Sequence, residues 1–187
     1  MNHPIKAIIL VCLVSASSFA GMNVLRSPQS NRSAFSEARR RRAAQWALAA
    51  GKRSVLKLEE VHALIASASR KHGVPTGLVK SIVAIESNFR CDAISSRGSI
   101  GLMQLLPSTA RQYGADPRIP EQNIDAGTRY LRFLIERYRY SSSPMKNVIA
   151  AYNAGCAAVD RYHGVPPFRE TQGYVTRVLA LMQQYQD

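Results

Sequence analysis

Cysteine is scarce in this 187-residue chain, with three residues (Cys12, Cys91 and Cys156) and no CxxC pair. A disulfide-stapled mini-protein is thereby excluded, and metal binding through thiolates is left without support. No apolar run reaches the roughly 20 residues a membrane-spanning helix needs. Acidic residues number only 12 against 25 Lys+Arg, a formal charge of +13. No internal repeat, Gly-rich phosphate loop or HExxH sequence occurs. Apolar residues are plentiful at 46%, with 20% charged, enough for a real core; that composition excludes a disordered or collagen-like chain. The length favours one domain.

The N-terminus sets the compartment. Lys6 precedes the apolar run Ala7–Val14, and Ser18-Phe19-Ala20 fits a small-x-small cleavage site. Residues 1–20 therefore read as an export signal, giving a periplasmic or secreted chain with no transmembrane segment after cleavage. Val11 directly before Cys12 is bulkier than a lipidation site wants. Cleavage removes Lys6 and Cys12, leaving 24 basic and 12 acidic residues, or +12. Cys91 and Cys156 then form an even count in an oxidising setting, which leaves a disulfide between them open.

Positive charge is concentrated early. Residues 21–54 hold eight basic residues, including the run Arg39–Arg42, against the single acid Glu37. This stretch reads as a basic linker or arm, in part helical over the Ala-rich Glu37–Ala50. An anionic partner is implied, among nucleic acid, membrane surface and cell-wall polymer, and charge alone does not choose. Export and the lack of a groove-reading motif argue against nucleic acid.

From Val55 onward the pattern is helical. Leu58, Val61, Leu64 or Ile65, and Ala68 recur at three-to-four spacing as far as Gly73. Pro75 opens a second helix to about Asn88. A third is predicted from Asn123 as N-cap, with Ile124, Gly127, Leu131, Leu134 and Tyr138 in one stripe. A fourth starts at Ser143-Pro144 and stops at Gly155; a last follows Glu170 with Tyr174, Val178, Met182 and Tyr185 in line. Residues 95–106, with Gly98 and Gly101, read as turn and strand. The class is mainly α with a small β-hairpin or strand region.

In the second helix the inward stripe runs Leu78/Val79, Ile82/Val83, then Glu86, then Phe89. An acid on the apolar stripe is unusual, because a carboxylate loses water there without replacement. Desolvation would favour the protonated form, which is the state a general acid needs. A helix-end Glu that snorkels or pairs with an Arg fits the same spacing. Gly98-Ser99-Ile100-Gly101-Leu102-Met103-Gln104 lets backbone approach a ligand and supplies an amide. Ala151-Tyr152-Asn153-Ala154-Gly155 sets an aromatic face beside a donor–acceptor side chain, a combination suited to sugar rings. His62, His72 and His163 show no ligand spacing, and Tyr138, Tyr140 and Tyr185 read as packing or surface residues.

Taken in order, Glu86-Ser87-x-Phe89, Ala93-x-Ser95-x-x-Gly98-x-x-Gly101-Leu102-Met103-Gln104-Leu105, Pro107-x-Thr109-Ala110, Asn123-Ile124, Ala151-Tyr152-Asn153-Ala154-Gly155 and Glu170-Thr171-x-x-Tyr174-Val175 resemble the soluble lytic transglycosylases, whose catalytic domain is related to goose-type lysozyme. The resemblance implies a lysozyme-like α-helical catalytic domain over residues 55–187. It also implies cleavage of the β-1,4 bond between N-acetylmuramic acid and N-acetylglucosamine in peptidoglycan. Glu86 would be the single acid/base, and the product a 1,6-anhydromuramyl end. Ser87, Ser95, Met103, Gln104, Tyr152, Asn153 and Tyr174 would contact substrate or brace the acid, and Gly98, Gly101 and Glu170 would support the site. Spacing leaves Asp92 and Glu170 open as further acids. Two residues depart from the family pattern: Ser99 for the usual Ala, and Cys156 where Pro or Gly is common. If Cys156 pairs with Cys91, the bridge would tie the end of the catalytic helix to the end of the Tyr152 helix. No metal or organic cofactor is implied. The partners implied are glycan strands and, by analogy with small exported members, a secretion apparatus or pilus. A hydrolytic muramidase and a cell-wall-binding assembly module are the alternative readings.

Overall fold

The computed structural model describes residues 56–185. The export signal predicted over 1–20 and the basic arm over 21–54 lie outside the described residues. Among those described are seven α-helices: α1 (Leu58–His72), α2 (Thr76–Ser87), α3 (Pro107–Gln112), α4 (Pro120–Tyr138), α5 (Pro144–Ala154), α6 (Cys156–Arg161) and α7 (Arg169–Gln184). The fold is the expected mainly helical one.

Helices α3, α4 and α5 each open on proline, whose fixed φ suits the first turn and whose missing N–H is no loss there. Proline also explains one difference from the sequence reading: α4 starts at Pro120, not at Asn123. Asn123 sits one turn inside, fully buried, and its amide serves tertiary contacts instead of a cap. Ser143 does precede α5, but its side chain makes no cap bond. The short helices α3 and α6 carry too few apolar repeats to register as periodic, and were not anticipated.

Apolar spacing dictates the packing. The α4 stripe Ile124, Gly127, Leu131, Leu134 and Tyr138 is buried, while Arg129, Arg132 and Arg137 face out. Through that stripe α4 packs on α1 and α5. Helix α2, apolar on most sides, is clasped by α1 and α7, with Leu78, Val79, Ile82 and Val83 fully buried. Each such side chain contributes about 1.5–3 kcal/mol by leaving water. Helix α7 rests on α2 and α5, and side-chain hydrogen bonds from its N-terminal part reach Glu86 in the last turn of α2 and Asn153 near the end of α5.

Residues 93–105 form a compact double turn in place of regular strands. Isolated antiparallel bridges join Ile94 to Ile100 and Ile100 to Leu105. Ile100 and Leu105 exchange both backbone hydrogen bonds, at 2.9 and 3.0 Å, around a tight turn over Gly101–Gln104. The predicted strand region is thus present as two bridged turns.

Candidate active site

Glu86 lies in the last turn of α2, half-buried. The Tyr174 hydroxyl, carried on α7, donates to its Oε1 over 2.6 Å. Tyr174 is only 3% exposed. Burial, reinforced by the neighbouring Glu86 charge, pushes the phenol well above its ordinary range, so it remains a proton donor at any working pH. The next residue, Ser87, is buried with its Oγ 2.8 Å from the Leu102 carbonyl and 3.1 Å from that of Val83. Its single hydroxyl proton therefore ties the end of α2 either to the Gly101–Gln104 turn or back to its own helix.

That turn is fixed from three sides. The Asn123 side chain accepts from the Met103 N–H at 2.8 Å and donates to the carbonyls of Ile100 and Pro117, each at 2.8 Å. Tyr152, 2% exposed, donates its hydroxyl to the Met103 carbonyl at 2.7 Å. Burial and the Glu86 charge raise its phenol as well, so it too stays protonated. Gln104 closes the turn by donating its amide to the carbonyls of Ala93 (3.0 Å) and Gly101 (2.9 Å). Gly101 has φ +79, and a Cβ there would come within 2.5 Å of Asn123 Nδ2 and 2.7 Å of the Pro117 carbonyl oxygen. Met103 lies against Gly127, where any Cβ would collide with its sulfur.

The residues singled out by sequence thus divide. Glu86, Ser87, Met103, Gln104, Tyr152 and Tyr174 are joined through hydrogen bonds or direct packing into one neighbourhood. Within it Ser87, Met103 and Tyr152 are buried framework, not open surface: Met103 is fully buried and Tyr152 spends its hydroxyl on backbone. Ser95 accepts the N–H groups of Arg97 (3.3 Å) and Ser99 (3.0 Å), which shapes the turn around Gly98. Asn153 accepts from Thr171 at 2.9 Å, linking the end of α5 to the first turn of α7, where Glu170 is half-buried. Asp92 is exposed beside Arg90.

No disulfide joins Cys91 and Cys156. Cys91 lies in the turn after α2, its thiol raised by burial and by Asp92 and Glu121, whereas Cys156 is buried at the start of α6, its carbonyl facing the Tyr138 hydroxyl. Gly155, with φ +83, turns the chain so that α6 carries Cys156 into the core.

Sequence reasoning missed Asn123 as a site-building residue, having read it as a cap. A polar side chain on the stripe of an amphipathic helix, as with Glu86, was the available signal. Among the described residues no three His, Cys, Asp or Glu side chains gather as a metal site. Two open cavities, of about 370 and 490 Å³, lie beside α1/α4 and α5/α7, and neither includes Glu86. What remains at the site is one partly exposed carboxyl group, oriented by a phenol and flanked by a rigid backbone turn. Such a group can give and take a proton at a ligand laid across the ends of α2, α5 and α7.

Comparison with known proteins places this geometry in context. The family model described as the transglycosylase SLT domain matches residues 63–174. A membrane-bound lytic murein transglycosylase C from Glaesserella parasuis is 35% identical over 114 residues, covering 52% of this chain and 31% of the relative. Its counterpart from Mannheimia succiniciproducens is 33% identical over 139 residues, covering 64% and 37%. The chain thus spans about a third of the length of these curated relatives. Among solved structures, the 70 kDa soluble lytic transglycosylase of Escherichia coli matches with TM-score 0.58 and 29% identity, over 65% of this chain and 23% of that one. An inactive glutamate-to-glutamine mutant of lytic transglycosylase Slt from Pseudomonas aeruginosa matches with TM-score 0.56 and 29% identity, over 66% and 23%.

Proposed function

The chain belongs to the transglycosylase SLT domain family, and on that premise we propose that it is an exported lytic transglycosylase cleaving the MurNAc-β-1,4-GlcNAc bond of peptidoglycan. Glu86 is the acid and then the base. As the neutral acid it protonates the glycosidic oxygen while the bond to the muramyl anomeric carbon breaks. As the carboxylate it takes the proton of the muramyl C6 hydroxyl, whose oxygen closes on that carbon to leave a 1,6-anhydromuramyl end. A nucleophile already within the same sugar has a high effective concentration, so a second protein carboxylate is dispensable.

The observation that carries this reading is the 2.6 Å bond from Tyr174 to Glu86. It links residues 88 apart in sequence and holds one carboxyl oxygen, so the carboxyl group presents a fixed orientation to substrate. The Gly101–Gln104 turn, locked by Asn123 and Tyr152, supplies the adjoining wall. Its inward residues act as support, with Gln104, Asn153 and the backbone nearest the sugars. The inactive glutamate-to-glutamine mutant of the Pseudomonas aeruginosa relative supports a glutamate at the centre. An envelope location accords with the names of the curated relatives and with the export signal read in residues 1–20. No helix among the described residues is long and apolar enough to cross a membrane.

The test is mass spectrometry of the fragments released from purified peptidoglycan. Anhydro ends, lighter by one water than reducing ends, are expected, and reducing ends would assign a hydrolytic muramidase instead. Glu86→Gln is expected to lose at least about 10²-fold in turnover, the scale of general acid catalysis, while still binding glycan. Turnover within a few-fold of wild type in that variant removes Glu86 from the chemistry, whereas full function of the variant in cells without turnover favours a wall-binding assembly module.

A further inference from the structure

Helix α2 ends one residue after Glu86, and it ends in an unusual way. Asn88 adopts φ 51 and ψ 44, a common helix stop, its N–H still bonded to the Ala84 carbonyl at 3.0 Å. Phe89 then also has positive φ, at +61. A bulky aromatic in the left-handed region is a genuine outlier, and outliers of this kind persist only where surrounding structure holds them. The holding group here comes from α1. The His62 ring meets the Phe89 ring edge-on, with centroids 5.3 Å apart and planes at 77°. Half-buried His62 keeps its Nε2 away from solvent with no hydrogen-bond partner among the described residues, so that nitrogen lost water without a polar replacement. Burial foremost, then Lys80, lowers the imidazole's proton affinity, which keeps the ring neutral and suited to an apolar contact.

The consequence for Glu86 follows from helix geometry. Helical side chains lean toward the N-terminus, over the residues three and four positions earlier. Were α2 to continue, Phe89 and Arg90 would lie over Glu86 and cover its carboxyl group. The left-handed step instead sends Phe89 to His62 and closes the turn with Arg90 N–H on the Ser87 carbonyl at 3.1 Å.

We propose that His62 and Phe89 form a positioning pair for Glu86: their ring contact holds the left-handed turn that ends the helix there and leaves the carboxyl group open to substrate. Neither residue touches the reacting atoms. The inference rests on the proposed role of Glu86, and its test is built so that the two can fail separately.

The experiment is a double-mutant cycle in the full chain with His62→Ala, Phe89→Ala and both together, with His62→Phe as the conservative rescue. Turnover on peptidoglycan is measured beside thermal melts. Each alanine variant is expected to lower kcat about 10- to 100-fold, the scale of a small misplacement of a catalytic group, with KM within about twofold. The double variant should be no worse than the poorer single one, because both remove one contact. His62→Phe should return most of kcat. Wild-type kcat in both alanine variants, independent losses that multiply, or a raised KM with kcat intact would each overturn the pairing. If Phe89→Ala does not fold, His62→Ala against His62→Phe decides the matter alone. If Glu86→Gln proves active, the functional reading falls instead. The pairing is then judged without turnover, by carbon-13 NMR titration of the Glu86 carboxyl group. A titration moved by His62→Ala and restored by His62→Phe supports the pair, and one unmoved by either overturns it.

Discussion

Tyr174 donates to Glu86 from a position where its own ionisation is suppressed, so the bond has a definite effect on proton affinity. A donor aimed at a carboxyl oxygen stabilises the ionised form more than the neutral one, and so lowers the carboxyl pKa. Removing it with Tyr174→Phe raises the affinity of Glu86 for its proton. The alkaline limb of the kcat/KM profile should therefore move to higher pH, with turnover at the optimum reduced as the carboxyl group loses its fixed orientation. A limb that stays in place or moves to lower pH would show that the phenol does not tune this acid. The position of Glu86 itself was legible, since helical spacing places it on the apolar stripe. Its bond to Tyr174 was not, because no periodicity connects residues 88 positions apart. The family motif named both residues and left open whether the phenol meets sugar or acid.

Between helices, the Gly101–Gln104 turn decides whether the site has a wall. Gly98 and Gly101 both have positive φ, but a Cβ at Gly98 meets nothing within 4 Å, whereas one at Gly101 drives into Asn123 and the Pro117 carbonyl. Gly98→Ala should cost only the left-handed strain, about 1–2 kcal/mol, with activity nearly kept. Gly101→Ala must displace the turn that carries Met103 and Gln104, and a tenfold or greater loss of turnover is expected. Comparable kinetics for the two variants would mean the turn is not held against Asn123. Asn123→Ala tests the same wall from the other side. It strands the buried Met103 N–H and two carbonyls, for a cost of about 2–4 kcal/mol read as a fall in Tm of roughly 6–16 °C. A change of only a degree or two would place little weight on that side chain. Helices α1, α2 and α7 were legible because each repeats apolar residues at three-to-four spacing, and α5 because Ser143-Pro144 and Gly155 mark its ends. The start of α4 was misread because Asn123 is a good cap in isolation, and only the folded chain shows its amide engaged by Ile100, Met103 and Pro117. The bridged turns at 93–105 and the short helices α3 and α6 depend on such contacts more than on local pattern.

Charge divides the whole molecule. Residues 21–54 hold eight basic side chains and one acid, while residues 56–185 hold 16 basic and 10 acidic, several of them paired on the surface as in Lys71–Asp125 and Arg137–Asp160. The helical domain also closes its own N-terminal end: the Lys57 N–H is taken by the Glu60 carboxylate at 2.8 Å, so α1 needs no upstream residue as a cap. A chain beginning at Leu56 is therefore expected to melt within a few degrees of the longer one and to turn over soluble glycan fragments at a similar kcat. Binding to intact sacculi should differ, because their peptide carboxylates make an anionic surface to which residues 21–54 bring +7. At low salt the longer chain should co-sediment with sacculi more strongly. The gap should close as salt rises toward about 1 M, where the screening length falls to about 3 Å. Equal co-sedimentation of the two chains at low salt would show that residues 21–54 contribute no attachment, and a gap that persists at high salt would assign their contribution to contacts other than charge.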